Sequence, residues 1–271
     1  MRVLILGSGS SGNATLVETS TTRILVDAGF NRKETIRRIV ALCGAAPDRV
    51  DGILISHEHS DHVAGLPHLS RLWRAPVFLT AATLAELTNQ YTQAGTEKLA
   101  RVETIIPSGR CFTVGDIEVT AFTIPHDAAE PVGYTLRSNG SKVSIVTDLG
   151  YLPTHVQQHL RDSDLMILES NHDLEMLKVG PYPWHIKQRV MSRTGHLSNH
   201  AVSEFLVDDQ CFDARARWLV LAHLSENNNN PDVARISAEE ALERRFRVGG
   251  TPFRGELHIA SQRVPLGPFD F

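Results

Sequence analysis

A chain of 271 residues with 42% hydrophobic residues can bury a sizeable core, so a single domain spanning residues 1–271 is expected. A formal net charge of -4 excludes a protein coated in positive charge; a polyanionic partner would have to be held by a local patch or by metal ions. Cys43, Cys111 and Cys211 are widely spaced, odd in number and lack a Cys-x-x-Cys pair, which excludes a disulfide framework and a thiolate metal site and leaves them as core thiols.

The opening run Met1 to Leu6 is too short for a signal peptide, and no apolar run is long enough for a membrane span, so a cytoplasmic protein is expected. Val3 to Leu6 reads as a buried strand. Gly7 to Asn13 follows and matches the dinucleotide fingerprint G-x-G-x-x-G by letter, but that motif needs a helix next. Ala14 to Glu18 and Arg23 to Val26 read instead as strands around a Thr/Ser turn, so the glycines make a tight turn.

Asp27-Ala28-Gly29 closes the third strand, Lys33 to Leu42 has helical spacing, and Gly52 to Ile55 is a strand. Helix is expected over Val63 to Trp73, strand over Pro76 to Leu79, and helix over Ala81 to Gln90. Strands follow at Cys111 to Val114, Ile117 to Phe122, Val132 to Leu136 and Val143 to Val146, with hairpin turns at Gly115-Asp116 and Asn139-Gly140. The remainder alternates: strands at Leu165 to Leu168, Trp218 to Leu221 and Leu257 to Ala260, and helix near Leu174, over Ile186 to Arg193, Asn199 to Val207 and Asp232 to Phe246.

The densest chemistry lies in Ser56-His57-Glu58-His59-Ser60-Asp61-His62, directly after the apolar run Ile53-Leu54-Ile55. Imidazole and carboxylate suit zinc, manganese or iron, and a loop just past a strand leaves the side chains free to converge on a cation. Glu58 and Ser60 read as spacers. Other apolar runs also end in ligand-type residues: Asp27, Asp148, Glu169 and His223, with His126 in Ile124-Pro125-His126-Asp127. In layered α/β folds, sites assemble where such strand ends meet.

This order of motifs, an early strand-end Asp27, then His57/His59/Asp61/His62, His126, Asp148 and His223, resembles the metallo-β-lactamase superfamily across nearly the whole chain. The resemblance implies a four-layer αββα sandwich and two divalent ions of zinc, manganese or iron. His57, His59 and His126 would hold one, Asp61, His62 and His223 the other, with Asp148 bridging and Asp27 orienting the ligand loop. Gly7 to Asn13, Pro125 to Ala128, Glu169 to His172 and Gly195 to Asn199 are most similar to the YycJ/WalJ-like hydrolases.

That branch implies a phosphodiesterase, specifically a 5′-to-3′ exonuclease on DNA, in which a hydroxide shared by two metals attacks phosphorus in line. Asp61 would serve catalysis as well as binding, His196 would protonate the departing alkoxide, and Glu169 would polarise His196. Nucleic acid or a small phosphodiester is the expected partner. Thioester, lactone or β-lactam hydrolysis by the same site is the alternative, and a diiron redox or non-catalytic metal protein is a third reading. Lys178 to Arg193 interleaves basic and aromatic residues as a single-strand binding surface would, or as a solvated helix would. His172 reads as a surface residue.

Overall fold

The computed structural model of the protein describes residues 1–93, 99, 102–105 and 108–271. In chain order the elements begin with strands β1 (Arg2–Gly7), β2 (Ala14–Glu18) and β3 (Arg23–Val26), helix α1 (Arg32–Cys43), β4 (Gly52–Leu54), α2 (Ser60–Val63) and α3 (Leu66–Trp73). They continue with β5 (Val77–Thr80), α4 (Ala81–Gln93), β6 (Val102–Ile105), β7 (Ser108–Val114), β8 (Ile117–Thr123), β9 (Val132–Ser138), β10 (Ser141–Val146) and α5 (Thr154–Leu160). The last are β11 (Leu165–Glu169), α6 (Leu174–Val179), α7 (Trp184–Val190), α8 (Asn199–Val207), β12 (Trp218–Ala222), α9 (Pro231–Arg247), β13 (Glu256–Ile259) and β14 (Leu266–Asp270).

Two compact units are formed, one of Met1–Thr123, Ala128–Gly140 and Ser261–Phe271, the other of Ile124–Asp127 and Ser141–Ala260. The first holds a sheet in the order β14-β1-β2-β3-β4-β5-β6. Its strands are near-continuous apolar runs because both faces are covered. On one face Leu4, Leu6, Leu16, Leu25 and Ile53 pack with Ile39 of α1 and with Leu66, Leu69 and Trp73 of α3. On the other lie the antiparallel strands β7, β8 and β9: Phe78 stacks on Phe112 with centroids 5.2 Å apart, and the Tyr134 hydroxyl donates to the Ile55 carbonyl at 2.7 Å. Strands β3 and β4 are parallel, with Val26 opposite Leu54, so Asp27 and the ligand loop leave the sheet at one edge.

In the second unit β10, β11, β12 and β13 are parallel, with Val146 opposite Leu168 and Glu169 opposite Ala222. That register brings the residues after β10, the end of β11 and the residue after β12 to a common edge, and Asp148, Glu169 and His223 stand there.

Several expectations change. The three cysteines are not core thiols: Cys43 and Cys111 are exposed and Cys211 is half-buried. The helix expected over Val63 to Trp73 begins only at Leu66, as α3; Val63 ends the separate turn α2, and between them the Gly65 amide donates to the Ala28 carbonyl at 2.8 Å. Strand β14 is hidden in the sequence because Gly267 and Pro268 dilute its pattern, which an edge strand tolerates. Helix α5 is likewise hidden because only Val156 and Leu160 are buried in it.

Candidate metal centre

In the first unit the ligand loop is held by three polar side chains. Asp27, buried and at φ 59°, turns the chain sharply at the end of β3. Its carboxylate accepts from the Ser56 amide at 2.8 Å and from the Ser56 hydroxyl at 3.0 Å, and it lies 2.9 Å from His62 Nδ1. A carboxylate only accepts, so His62 carries its proton on Nδ1 and keeps a lone pair on Nε2. The Ser56 hydroxyl, having given its hydrogen to Asp27, can accept from His57 Nδ1 at 3.0 Å, and that sets the same tautomer there. The His57 and His62 rings lie 4.1 Å apart between centroids, and His59 meets His57 edge-on at 4.6 Å.

The glycine-rich turn supplies the third holder, which sequence reasoning missed. The Asn13 side-chain amide donates to Asp61 Oδ2 at 3.2 Å and faces His62 Nε2 at 3.0 Å, while its carbonyl accepts from the Gly9 amide at 2.9 Å. Two candidate ligand atoms, Asp61 Oδ2 and His62 Nε2, are 3.6 Å apart and point at the same donor. Gly29 permits this packing: a Cβ there would sit 1.7 Å from the Asp61 carbonyl, which accepts from the Asn13 amide. Glu58 is a spacer only in the sense of ligation. It is buried and accepts from the Ala129 amide at 2.7 Å.

In the second unit one carboxylate holds two of the histidines. Glu169, fully buried, receives His196 Nδ1 and His223 Nδ1 on one oxygen, each at 2.8 Å, and the amides of Leu149 and Leu197 on the other, each at 3.0 Å. His223 therefore presents Nε2 away from Glu169. His126 Nδ1 donates to the Gly195 carbonyl at 3.2 Å and does the same. Asp148 and His223, like Asp27, sit at positive φ, 62° and 55°. A non-glycine residue in that region costs on the order of 1 kcal/mol, a strain stored where strand ends turn into the site.

Asp148, Glu169, His196 and His223 each offer a ligand atom within 4.8 Å of the others. Asp148 Oδ1 is 3.2 Å from His223 Nδ1 and 4.0 Å from His126 Nε2. Burial holds His126 below the usual histidine range even with Asp148 near, which favours the neutral, ligating form. His196 goes the other way: burial opposes its charge, but the Glu169 carboxylate, its hydrogen bond and Asp148 outweigh that and raise it. Its side chain keeps 20% of its surface open, more than His126 or His223. Ser198 caps α8 by accepting from the Ala201 amide at 3.1 Å, so capping and the His196–Glu169 pair coexist.

His172 is not a surface residue. It is buried, with Nδ1 unbonded, and burial pushes its pKa down to about 4.

The donor chemistry within each unit fits a divalent metal. His57 and His62 in the first unit, and His126 and His223 in the second, each have Nδ1 against an oxygen, the arrangement that ligating histidines adopt. The donor set is all nitrogen and oxygen, as zinc, manganese and iron accept.

Comparison with known proteins agrees with this reading. A model described as the beta-lactamase superfamily domain matches residues 22–224. The chain is 35% identical over 265 residues to exodeoxyribonuclease YycJ of Bacillus anthracis, covering 96% of each, and 33% identical over 254 residues to exodeoxyribonuclease WalJ of Streptococcus pneumoniae, covering 92% of this chain and 91% of that one. Among solved structures it resembles the metallo-beta-lactamase fold protein YhfI of Bacillus subtilis, with 19% identity, 98% of each chain covered and a TM-score of 0.71. The αββα fold expected from the motifs is thus the fold of this chain.

Proposed function

The chain belongs to the beta-lactamase superfamily and is a metal-dependent hydrolase, and from that premise we propose that it is a two-metal exonuclease that degrades DNA in the 5′-to-3′ direction. The observation that carries the reading is the oxygen held against Nδ1 of each of His57, His62, His126 and His223, joined to relatives named as exodeoxyribonucleases. In this reading His57, His59 and His126 would hold one ion and Asp61, His62 and His223 the other, with Asp148 serving both. Such ions would supply acidified water and charge neutralisation for a phosphoryl group in displacement.

The residues around them have separable tasks. Asp27 and Ser56 fix the rings of His57 and His62. Glu169 fixes His223 and His196 together, so the ligand and the proton donor move as one piece. His196, raised in pKa and partly open, donates from Nε2 to the departing oxygen while Nδ1 stays on Glu169. An unassisted leaving alkoxide is a poor leaving group, and a positioned acid is worth about 10²–10⁴-fold.

The test is hydrolysis of end-labelled single-stranded DNA by chelator-stripped protein reloaded with zinc or manganese, with a thioester assayed in parallel. DNA shortening from the 5′ end is expected, absent in the stripped protein and lost in Asp148→Asn and Asp61→Asn. Turnover of the thioester with intact DNA would overturn the proposal.

A further inference from the structure

The second unit also carries exposed aromatic and cationic side chains for which the metal chemistry has no use. Trp184 opens α7 with 63% of its surface exposed. Tyr151 is 36% exposed and lies under Arg193, whose guanidinium carbon is 4.2 Å from the ring centroid. Arg193 is itself exposed and has no carboxylate partner among the described residues. A solvated helix face accounts for the charges, but not for large rings left in water.

The chain ties this group to the site within the same unit. Gly150 donates its amide to the Pro125 carbonyl at 2.9 Å, and a Cβ on it would lie 2.4 Å from the Arg193 carbonyl, so only glycine admits that strand of chain. The Tyr151–Arg193 stack therefore stands three residues from Asp148 on one side and three from His196 on the other. Arg189 of α7 pairs with Asp127, the neighbour of His126, and the His196 amide donates to the Val190 carbonyl at 2.9 Å.

We propose that the Arg193–Tyr151 stack and Trp184 form a track for single-stranded nucleic acid, taking the unpaired bases next to the phosphate presented to Asp148 and His196. The proposal rests on the nuclease reading above. A π face accepts any base, a guanidinium over a ring adds a second stacking plane, and an unpaired cation meets the phosphate backbone. A duplex hides its base faces, so the track selects frayed or single strands. It also supplies local positive charge on a chain whose formal net charge is -4.

Tryptophan fluorescence reads the stacking directly, because Trp73 is buried and Trp218 lies beneath Arg217. Full-length, metal-loaded protein is titrated with a nuclease-resistant phosphorothioate oligothymidylate. Quenching is expected in wild type and is largely lost in Trp184→Phe, which keeps a flat ring and wild-type affinity. Trp184→Ala and Arg193→Ala should each weaken binding about tenfold, with unchanged circular dichroism. Phe246→Ala, equally exposed on α9, should bind as wild type does. If Trp184→Ala and Arg193→Ala bind as tightly as a wild type that cuts DNA, the track alone is overturned, as it is if duplex binds equally well. A wild type that neither binds nor cuts overturns the nuclease reading and the track with it.

Discussion

The two units hold their candidate ligands by different means. In the first, His57, His59, Asp61 and His62 are nearly contiguous, and Asp27, Ser56 and Asn13 share the work of orienting them. In the second, His126, Asp148 and His223 come from separate strand ends, and Glu169 alone receives four N–H donors. Distributed holding tolerates the loss of one member. Concentrated holding does not.

The largest effect is therefore expected at Glu169. In Glu169→Gln an amide nitrogen must face two of the four donors, leaving buried groups unpaired. Metal content and turnover should fall about 100-fold or more, with about 3 kcal/mol lost in chemical denaturation. Asp27→Asn should cost less, about tenfold in metal affinity by competition with a chromophoric chelator, because Ser56 can still meet the new amide. Equal losses at the two positions would break the comparison. Asn13→Ala, which removes a neutral amide, should weaken metal binding only about fivefold.

A smaller test concerns His172, buried in the second unit beside the β11 end. Its folded pKa is about 4, against about 6.5 when unfolded, so the unfolded chain takes a proton first as pH falls. Stability is complete above pH 6.5 and is lost on acidification toward pH 4. The loss should reach about 2 kcal/mol at pH 5. Urea denaturation at pH 7 and pH 5 should show this slope in wild type and a flatter one in His172→Gln.

Much of the first unit's contribution was legible because a contiguous loop writes its ligands next to one another. His57, His59, Asp61 and His62 need only the strand before them to be read as a metal loop. The second unit's His126, Asp148 and His223 became legible only as an ordered set resembling a family, since each alone could be a turn or surface residue. Asn13 escaped notice because the glycines around it explain a tight turn equally well. Glu169 was seen as a partner of His196; its hold on His223 depends on β11 and β12 lying side by side in parallel register.

The sequence by itself determined the available chemistry: which side chains can ligate a hard or borderline cation, and which strands deliver them. Tertiary structure decided orientation. It chose the ring nitrogen that keeps its lone pair, turned Asp27, Asp148 and His223 through positive φ, and buried His172 where a surface residue was expected. Ligand identity is written in single residues, whereas tautomer, burial and strain depend on what neighbouring strands bring within hydrogen-bond reach.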